Sequence, residues 1–248
     1  MYDNFIFDLY GTLVDIRTDE ESSAVWKKLS LYYGYQGALY TAKELKERYH
    51  WLTGEALLKK QASDSVQYAH ESFPEIVIEN VFEALYKEKG VEASDELVLH
   101  TAQWFRVITT KKLRTYPYVK KFLQKLKDNG KKVYLLSNAQ RAFTEYELNY
   151  LDISKYFDGI LISSNEGVKK PDKAFFMRLK EVYGIDFKRS IMIGNDAASD
   201  IGGAKGVGMD AFYIRSNISP ANDITPDCKF TLESMDIKKA ANKLGLTI

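Results

Sequence analysis

The stretch Asn4-Phe-Ile-Phe-Asp-Leu-Tyr-Gly-Thr-Leu-Val-Asp15 determines how the rest of the chain is interpreted. Its apolar run Phe5–Phe7 ends abruptly at the carboxylate of Asp8, and Gly11 and Thr12 then indicate a turn. Because both faces of this run are hydrophobic, it predicts a buried strand in a parallel sheet. Open α/β sheets bind their ligands at the carboxyl ends of such strands. Asp8 is therefore the first candidate for chemistry.

Composition narrows the class of protein. The 248 residues suffice for one large domain or for a core with a smaller insertion. The net charge of +1 argues against a nucleic-acid or membrane-surface partner. We find no apolar run that could cross a bilayer, and the start of the chain has no secretion-signal pattern. A single cysteine, Cys228, excludes an internal disulfide and fits a reducing compartment, so we expect a cytoplasmic protein.

The segment from Asp15 to about Tyr116 has helical periodicity. Trp26, Leu29 and Tyr33 follow the spacing of one helix face, and Thr41 with Glu44 has the spacing of a capping box. A further helix is expected before Gly90, and another is expected to begin at Ser94. The pattern predicts a helical insertion of about 90 residues without strands.

After Tyr116 the pattern alternates between helix and strand. Strands are predicted at Lys131–Asn138, Gly159–Ser163, Ile191–Asp196 and Asp210–Ile214, and a last short strand and helix between Phe230 and Leu244. Pro171 is predicted to occupy the first position of a helix. This alternation predicts an α/β fold with a doubly wound parallel sheet, interrupted after its first strand by the helical insertion.

Polar residues stand at the predicted ends of several strands. In a parallel sheet, Asp8, Ser137-Asn138, the loop with Lys170, and Asp196 would meet at one edge, with Asp200 nearby. Carboxylates crowded in this way repel one another unless a cation lies among them. Carboxylates together with backbone carbonyls suit Mg²⁺. Such a site could bind a phosphate, with Ser137 and backbone N–H groups contacting its oxygens.

Four segments resemble the signature motifs of the haloacid dehalogenase (HAD) superfamily of hydrolases in order and spacing. They are Asp8-Leu-Tyr-Gly-Thr-Leu-Val-Asp15, Ser137-Asn138, Gly167-Val-Lys-Lys-Pro-Asp172 and Gly194-Asn-Asp-Ala-Ala-Ser-Asp-Ile-Gly-Gly-Ala204. The resemblance covers essentially the whole chain and implies an inserted all-α cap. It implies a Rossmann-like catalytic core of residues 1–15 and 112–248 and a cap of residues 16–111.

The resemblance also implies roles for individual residues. Asp8 would be the nucleophile, forming an aspartyl intermediate, and Lys170 would stabilise charge. Thr12, Ser137 and Asn138 would bind phosphate. The metal ligands would be Asp8, the main-chain carbonyl of Tyr10, Asp196 and Asp200, with Asn195 as the alternative to Asp196.

Two departures from the family pattern leave alternatives open. Most phosphatases of the family have an aspartate general acid and base where Tyr10 stands, and a phenol with a pKa of about 10 is a poor substitute. Haloacid dehalogenases carry tyrosine there, since a departing halide needs no proton. In the second departure, Asn195 occupies one frequent position of a metal-binding acid, and Asp196 occupies the other.

We give the acids more weight than the tyrosine, because an acid cluster without a cation is costly and Tyr10 still offers its carbonyl. The sequence thus predicts a Mg²⁺-dependent phosphatase for a small phosphorylated metabolite, in which Tyr10 or a cap residue replaces the missing acid–base group. A metal-independent 2-haloacid dehalogenase with an aspartyl-ester intermediate is the alternative, and a catalytically weak binding or regulatory domain is the third possibility. We expect a monomer or homodimer.

Overall fold

The computed structural model of the chain describes residues 2–64, 73 and 75–248. Residues 65–72 and 74, which belong to the predicted helical insertion, lie outside the described residues. Among the described helices we find no segment with the length and hydrophobicity needed to span a membrane.

The predicted α/β architecture is confirmed. The strands are β1 (Asn4–Phe7), β2 (Val14–Thr18), β3 (Thr110–Thr115), β4 (Lys132–Ser137), β5 (Gly159–Ile162), β6 (Ser190–Gly194), β7 (Asp210–Ile214) and β8 (Phe230–Leu232). Six of these form one parallel sheet in the order β5-β4-β1-β6-β7-β8, so β1 is central. Phe5 and Phe7 pack into the hydrophobic core on one face, and Ile6 packs into the core on the other. Both faces of β1 are therefore apolar because each of them packs against a hydrophobic core.

The helices are α1 (Ser23–Tyr35), α2 (Ala42–Asp64), α3 (Ile78–Glu88), α4 (Asp95–Thr109), α5 (Val119–Asp128), α6 (Arg141–Tyr150), α7 (Ser163–Glu166), α8 (Lys173–Tyr183), α9 (Gly203–Gly206) and α10 (Ile237–Lys243). Short 3₁₀ turns cover Ser154–Tyr156 and Phe187–Arg189, and a π-helical turn covers Ala197–Gly202. The last predicted strand and helix correspond to β8 and α10.

Helices α1 to α4 form a helical module around a second hydrophobic core, in which Trp26, Tyr33, Phe82 and Phe105 are buried and to which Ala142 of α6 also contributes. The side chain of Ser94 accepts the Leu97 N–H at 3.2 Å and caps α4, as predicted. Thr41 accepts the Glu44 N–H at 3.1 Å in the same manner. Local capping and periodicity thus place these helices correctly.

The prediction of helix throughout Asp15 to Tyr116 is wrong at both ends of that segment. Strands β2 and β3 pair there as an antiparallel ribbon. Lys112 and Arg114 each approach Asp15 Oδ2 at 3.1 Å across the ribbon. These strands are short and polar, and their pairing partners lie far apart in sequence, so local periodicity could not indicate them. The boundaries predicted at residues 15/16 and 111/112 fall inside this ribbon.

The prediction that Pro171 opens a helix is also wrong. Helix α8 begins two residues later, at Lys173, because the carboxylate of Asp172 accepts the Ala174 N–H at 2.9 Å and caps the helix. The peptide bond between Lys170 and Pro171 is cis.

Candidate active site

Lys170 lies at the centre of the polar residues that were predicted to meet at the carboxyl ends of the strands. Its Nζ is 2.8 Å from Asp8 Oδ1 and 2.7 Å from Asp200 Oδ1. The same nitrogen donates to the Leu136 carbonyl at 2.7 Å. Lys170 is only 2% exposed and Asp200 only 1%. The structure therefore brings one lysine and two carboxylates together in a buried cluster at the carboxyl edge of the sheet.

The charges in this cluster depend on one another. Burial disfavours the charged lysine, but the charges of Asp200 and Asp8 outweigh it and raise the pKa of Lys170. Burial raises the pKa of Asp200; the charge of Lys170 opposes this effect and the charge of Asp8 adds to it. Lys170 therefore supplies a positive charge beside Asp8 and Asp200 that offsets part of their mutual repulsion.

Both oxygens of Asp200 are engaged by groups of the chain itself. Oδ1 faces Lys170, and Oδ2 accepts the backbone N–H groups of Asn195 and Asp196, each at 3.0 Å. Gly194 makes this approach possible, since a Cβ there would lie 2.2 Å from Asp200 Oδ2. Asp200 thus holds the turn after β6 in place.

Asn195 faces Asp8 more directly than Asp196 does. One end of its side-chain amide lies 3.2 Å from Asp8 Oδ2, 3.1 Å from the Tyr10 carbonyl oxygen and 3.0 Å from Thr12 Oγ1. With the nitrogen at this end, the amide donates to Asp8 and Tyr10. With the oxygen there, it accepts from the Thr12 hydroxyl, and three oxygens then face one another. Asn195 is only 5% exposed, so an amide orientation that leaves its donors or acceptors unmatched would cost free energy.

Asp196 has a different set of contacts. Its Oδ1 accepts the N–H groups of Ala198 at 2.9 Å and Ser199 at 2.7 Å. These bonds cap the π-helical turn that follows. Asp196 remains on the wall of the crevice, beside Ser199.

The three expected phosphate-binding residues differ in their contacts. Ser137 Oγ is buried and has no hydrogen-bond partner among the described residues. Thr12 Oγ1 donates to Asp8 Oδ2 at 3.2 Å. The amide of Asn138 donates to the Lys170 carbonyl at 3.0 Å and accepts the Lys170 N–H at 2.8 Å. Asn138 therefore fixes the backbone of the lysine loop, and Ser137 has an unused donor.

The phenol of Tyr10 is bound to residues that sequence reasoning missed. Its hydroxyl donates to Glu147 Oε2 at 2.6 Å and lies 3.2 Å from Thr144 Oγ1. Arg106 of the helical module donates to Glu147 Oε1 at 2.6 Å. Burial, reinforced by the charge of Glu147, raises the pKa of Tyr10. The signal for Glu147 was a charged residue on the buried face of α6, next to Leu148.

A crevice of about 190 Å³ is lined by Asp8, Tyr10, Asn138, Lys170, Asn195, Asp196, Ser199 and Asp200. Besides the residues already described, Ile218 and Pro220 from the loop after β7 contribute to its wall. Ser219 Oγ donates to the Asn195 carbonyl at 2.6 Å and attaches this loop to the site. In the described parts of the chain, no three His, Cys, Asp or Glu side chains are grouped to hold a metal ion by themselves. A cation here would depend on carbonyl or amide oxygens as well.

Comparisons with known proteins show what the sequence and the fold of this chain are similar to. A model of the haloacid dehalogenase-like hydrolase family matches residues 2–208. The glyceraldehyde 3-phosphate phosphatase of Pyrococcus abyssi is 30% identical over 103 residues, which are 42% of this chain and 43% of that protein. The phosphoglycolate phosphatase of Aquifex aeolicus is 26% identical over 227 residues, covering 92% of this chain and 90% of that protein.

A similar solved structure is the 2-haloacid dehalogenase from Pseudomonas syringae, with a TM-score of 0.64, 20% identity and 99% of each chain covered. At this identity the likeness shows the fold alone. The chain matches less than half the length of the Pyrococcus enzyme and nearly the full length of the Aquifex enzyme.

Proposed function

This chain belongs to the haloacid dehalogenase-like hydrolase family, and on that premise we propose that it is a Mg²⁺-dependent phosphatase acting on a small phosphorylated metabolite. The observation that carries the proposal is the buried Asp8 carboxylate, with Lys170 at 2.8 Å on one oxygen and Thr12 at 3.2 Å on the other. The phosphatases among the similar proteins favour phosphorus over carbon as the atom attacked.

Asp8 is the nucleophile in this proposal. Its carboxylate oxygen bonds to phosphorus while the bond between phosphorus and the ester oxygen breaks, and the released leaving-group oxygen takes a proton from water. Water then attacks the phosphorus of the aspartyl phosphate. Inorganic phosphate leaves and the Asp8 carboxylate is restored.

The surrounding residues bind and position the phosphate. Lys170 balances the negative charge that builds up beside Asp8. Ser137 supplies the buried hydroxyl that has no other partner among the described residues, and it donates to a phosphate oxygen. Asn138 acts on Lys170 by fixing its backbone.

The residues present fit a magnesium ion in their chemistry. The Asp8 carboxylate, the Tyr10 carbonyl and the Asn195 amide oxygen are hard oxygen ligands of the kind that this ion prefers. One end of the Asn195 amide lies 3.2 Å from Asp8 Oδ2 and 3.1 Å from the Tyr10 carbonyl oxygen. When bound, Mg²⁺ supplies positive charge that orients and neutralises the phosphate. We propose Asn195 over Asp196 as a ligand, because the Asn195 amide lies beside Asp8 and the Tyr10 carbonyl, whereas Asp196 Oδ1 caps the following turn. Asp200 faces Lys170 and the N–H groups of Asn195 and Asp196, so we propose that it lies beside the ion and not on it.

The phenol of Tyr10 does not serve as the general acid in this proposal, because its hydroxyl already donates a hydrogen bond to Glu147 and the pKa of Tyr10 is raised. Substrates with good leaving groups, such as acyl phosphates and aryl esters, are therefore favoured. We further propose that the helical module within residues 16–111 acts as a cap that closes over the crevice and excludes water.

Dehalogenation is the second candidate function, and one observation favours it. With its nitrogen turned inward, Asn195 donates to Asp8 Oδ2 and to the Tyr10 carbonyl, an arrangement that needs no metal ion. The tyrosine beside the nucleophile also agrees with a reaction that releases halide without a proton.

The purified protein should be assayed with p-nitrophenyl phosphate and with 2-chloropropionate, each with Mg²⁺ and with chelator. We expect phosphate release that is lost with chelator and in Asp8→Asn. Halide release that survives chelation would replace the proposal with the dehalogenase. If neither product forms while a ligand still raises the melting temperature, the chain is a binding domain.

A further inference from the structure

A second cleft, larger than the crevice around Asp8, lies between the end of α4, strand β3 and helix α6, and we call it the hinge cleft. Its volume is about 490 Å³, within the usual range for small-molecule sites. The two clefts share no lining residue. They are nevertheless adjacent, because Tyr10 lines the first, and its hydrogen-bond partner Glu147 lines the second.

The lining of this hinge cleft is more basic than acidic. The lining contains three basic residues, Arg106, Lys111 and Lys112, and one acidic residue, Glu147. Arg106 is paired with Glu147, and Lys112 is paired with Asp15. Lys111 is left as the cation without an acidic partner among the described residues. The hinge cleft therefore attracts an anion.

The opposite wall is aromatic. Phe143, Tyr146 and Tyr150 of α6 all line the cleft. The rings of Tyr146 and Tyr150 are stacked with centroids 6.1 Å apart, although the two residues are 63% and 64% exposed. Exposed ring faces beside a cavity can stack on a flat apolar group.

We propose that the hinge cleft binds a small organic anion with a planar apolar part. Its charge lies near Lys111, and its ring lies against Tyr146 and Tyr150. Such a ligand contacts the helical module through Arg106 and the core through α6. It thereby touches the ion pair that connects the module to the loop of Asp8 and Tyr10.

Anilinonaphthalene sulfonate, a planar aromatic anion that fluoresces on binding, is a suitable probe. We expect one saturable site, and we expect the uncharged N-phenylnaphthylamine to bind about tenfold more weakly. Lys111→Glu should weaken binding of the sulfonate by about tenfold, and Tyr146→Ser by about fivefold. Both residues are exposed, so circular dichroism should show unchanged folds.

Lys121→Glu is the matched control, because Lys121 lines a separate basic cleft beside α5. It should change the affinity by less than about twofold. An unchanged affinity in Lys111→Glu, equal binding of the uncharged dye, or the lack of any saturable signal would each reject the proposal.

Discussion

The hydroxyl of Tyr10 donates a 2.6 Å hydrogen bond to Glu147, so the loop that carries Asp8 is bound to helix α6. Arg106 of α4 donates to the other oxygen of Glu147 at 2.6 Å, so the helical module is bound to α6 through the same carboxylate. Burial and the charge of Glu147 raise the pKa of Tyr10. The phenol therefore stays protonated and serves to connect parts of the structure.

Tyr10→Phe should consequently keep most of the activity. Loss of a general acid or base typically lowers turnover by about 10² to 10⁴-fold, and we expect less than about threefold for this variant with p-nitrophenyl phosphate. The free energy of unfolding should fall by about 1 kcal/mol, since one buried hydrogen bond is lost. A loss of turnover near 100-fold at unchanged folding would show that the phenol takes part in proton transfer.

Glu147→Gln tests the ion pair itself. The Glu147 side chain is 5% exposed, and the change removes the carboxylate with which Arg106 forms its ion pair. We expect the free energy of unfolding to fall by about 3 kcal/mol in urea denaturation. Glu145→Gln on the same helix is the control, because Glu145 is 58% exposed where it pairs with Arg141. Its effect should stay within about 0.5 kcal/mol, and equal effects of both variants would contradict a buried connection.

Elements of the fold that depend on residues close together in sequence could be predicted, and elements that depend on distant residues could not. The run Phe5–Phe7 carried enough information for a central strand, because its alternate side chains pack into cores on both faces of the sheet. The β2–β3 ribbon was not predictable in this way. Asp15 is separated in sequence from its partners Lys112 and Arg114 by the whole helical module, so no local pattern connects them.

The same distinction applies to the site. The rule that strand ends meet at one edge correctly anticipated that Asp8, Lys170 and Asp200 lie close together. It could not choose between Asn195 and Asp196, since that depends on which side chain caps the turn after β6. Nor could it indicate Arg106, because its contact with Glu147 joins helices from separate parts of the fold.

Asn195→Asp should strengthen the binding of Mg²⁺. The introduced carboxylate would stand beside Asp8 and the Tyr10 carbonyl, where the amide now lies at 3.1 to 3.2 Å. We expect the Mg²⁺ dissociation constant to fall by about tenfold, measured by calorimetry. Without Mg²⁺ the variant should melt at a lower temperature than the parent, because two carboxylates then repel each other.

Asp196→Asn is the matched control for the metal. Asparagine caps a helical turn about as well as aspartate, so the fold should keep its stability. We expect the Mg²⁺ dissociation constant to change by less than about twofold. A large loss of Mg²⁺ affinity in this variant would place Asp196 on the ion and contradict our assignment of Asn195.

Asp15 predicts a dependence of stability on pH. Although burial acts in the opposite direction, hydrogen bonds from Lys112 and Arg114 hold the pKa of Asp15 below its usual value of 3.8. A carboxylate with a lowered pKa stabilises the fold above its unfolded pKa, and this stabilisation is lost as the pH falls through the folded pKa.

Asp15→Asn should therefore cost about 2 kcal/mol of unfolding free energy at neutral pH. The difference from the parent should shrink as the pH falls below 3.8. Urea denaturation over this range is the measurement. Asp152→Asn is the control, because Asp152 is 58% exposed beside Lys155 and should have little effect at any pH. A difference for Asp15→Asn that does not depend on pH would contradict the ionic origin of the effect.

Gly11→Ala tests how closely the nucleophile loop approaches Asn195. Gly11 has a φ of +87°, and a Cβ there would lie 2.5 Å from Asn195 Nδ2. Gly208 has a similar φ of +74°, but no atom lies within 4 Å of its Cβ position. Both alanine variants should lose about 1 kcal/mol of stability to the left-handed backbone. Only Gly11→Ala should also displace the Asn195 amide and lower turnover of p-nitrophenyl phosphate, by about tenfold. Equal turnover in the two variants would mean that the position of Asn195 has no part in catalysis.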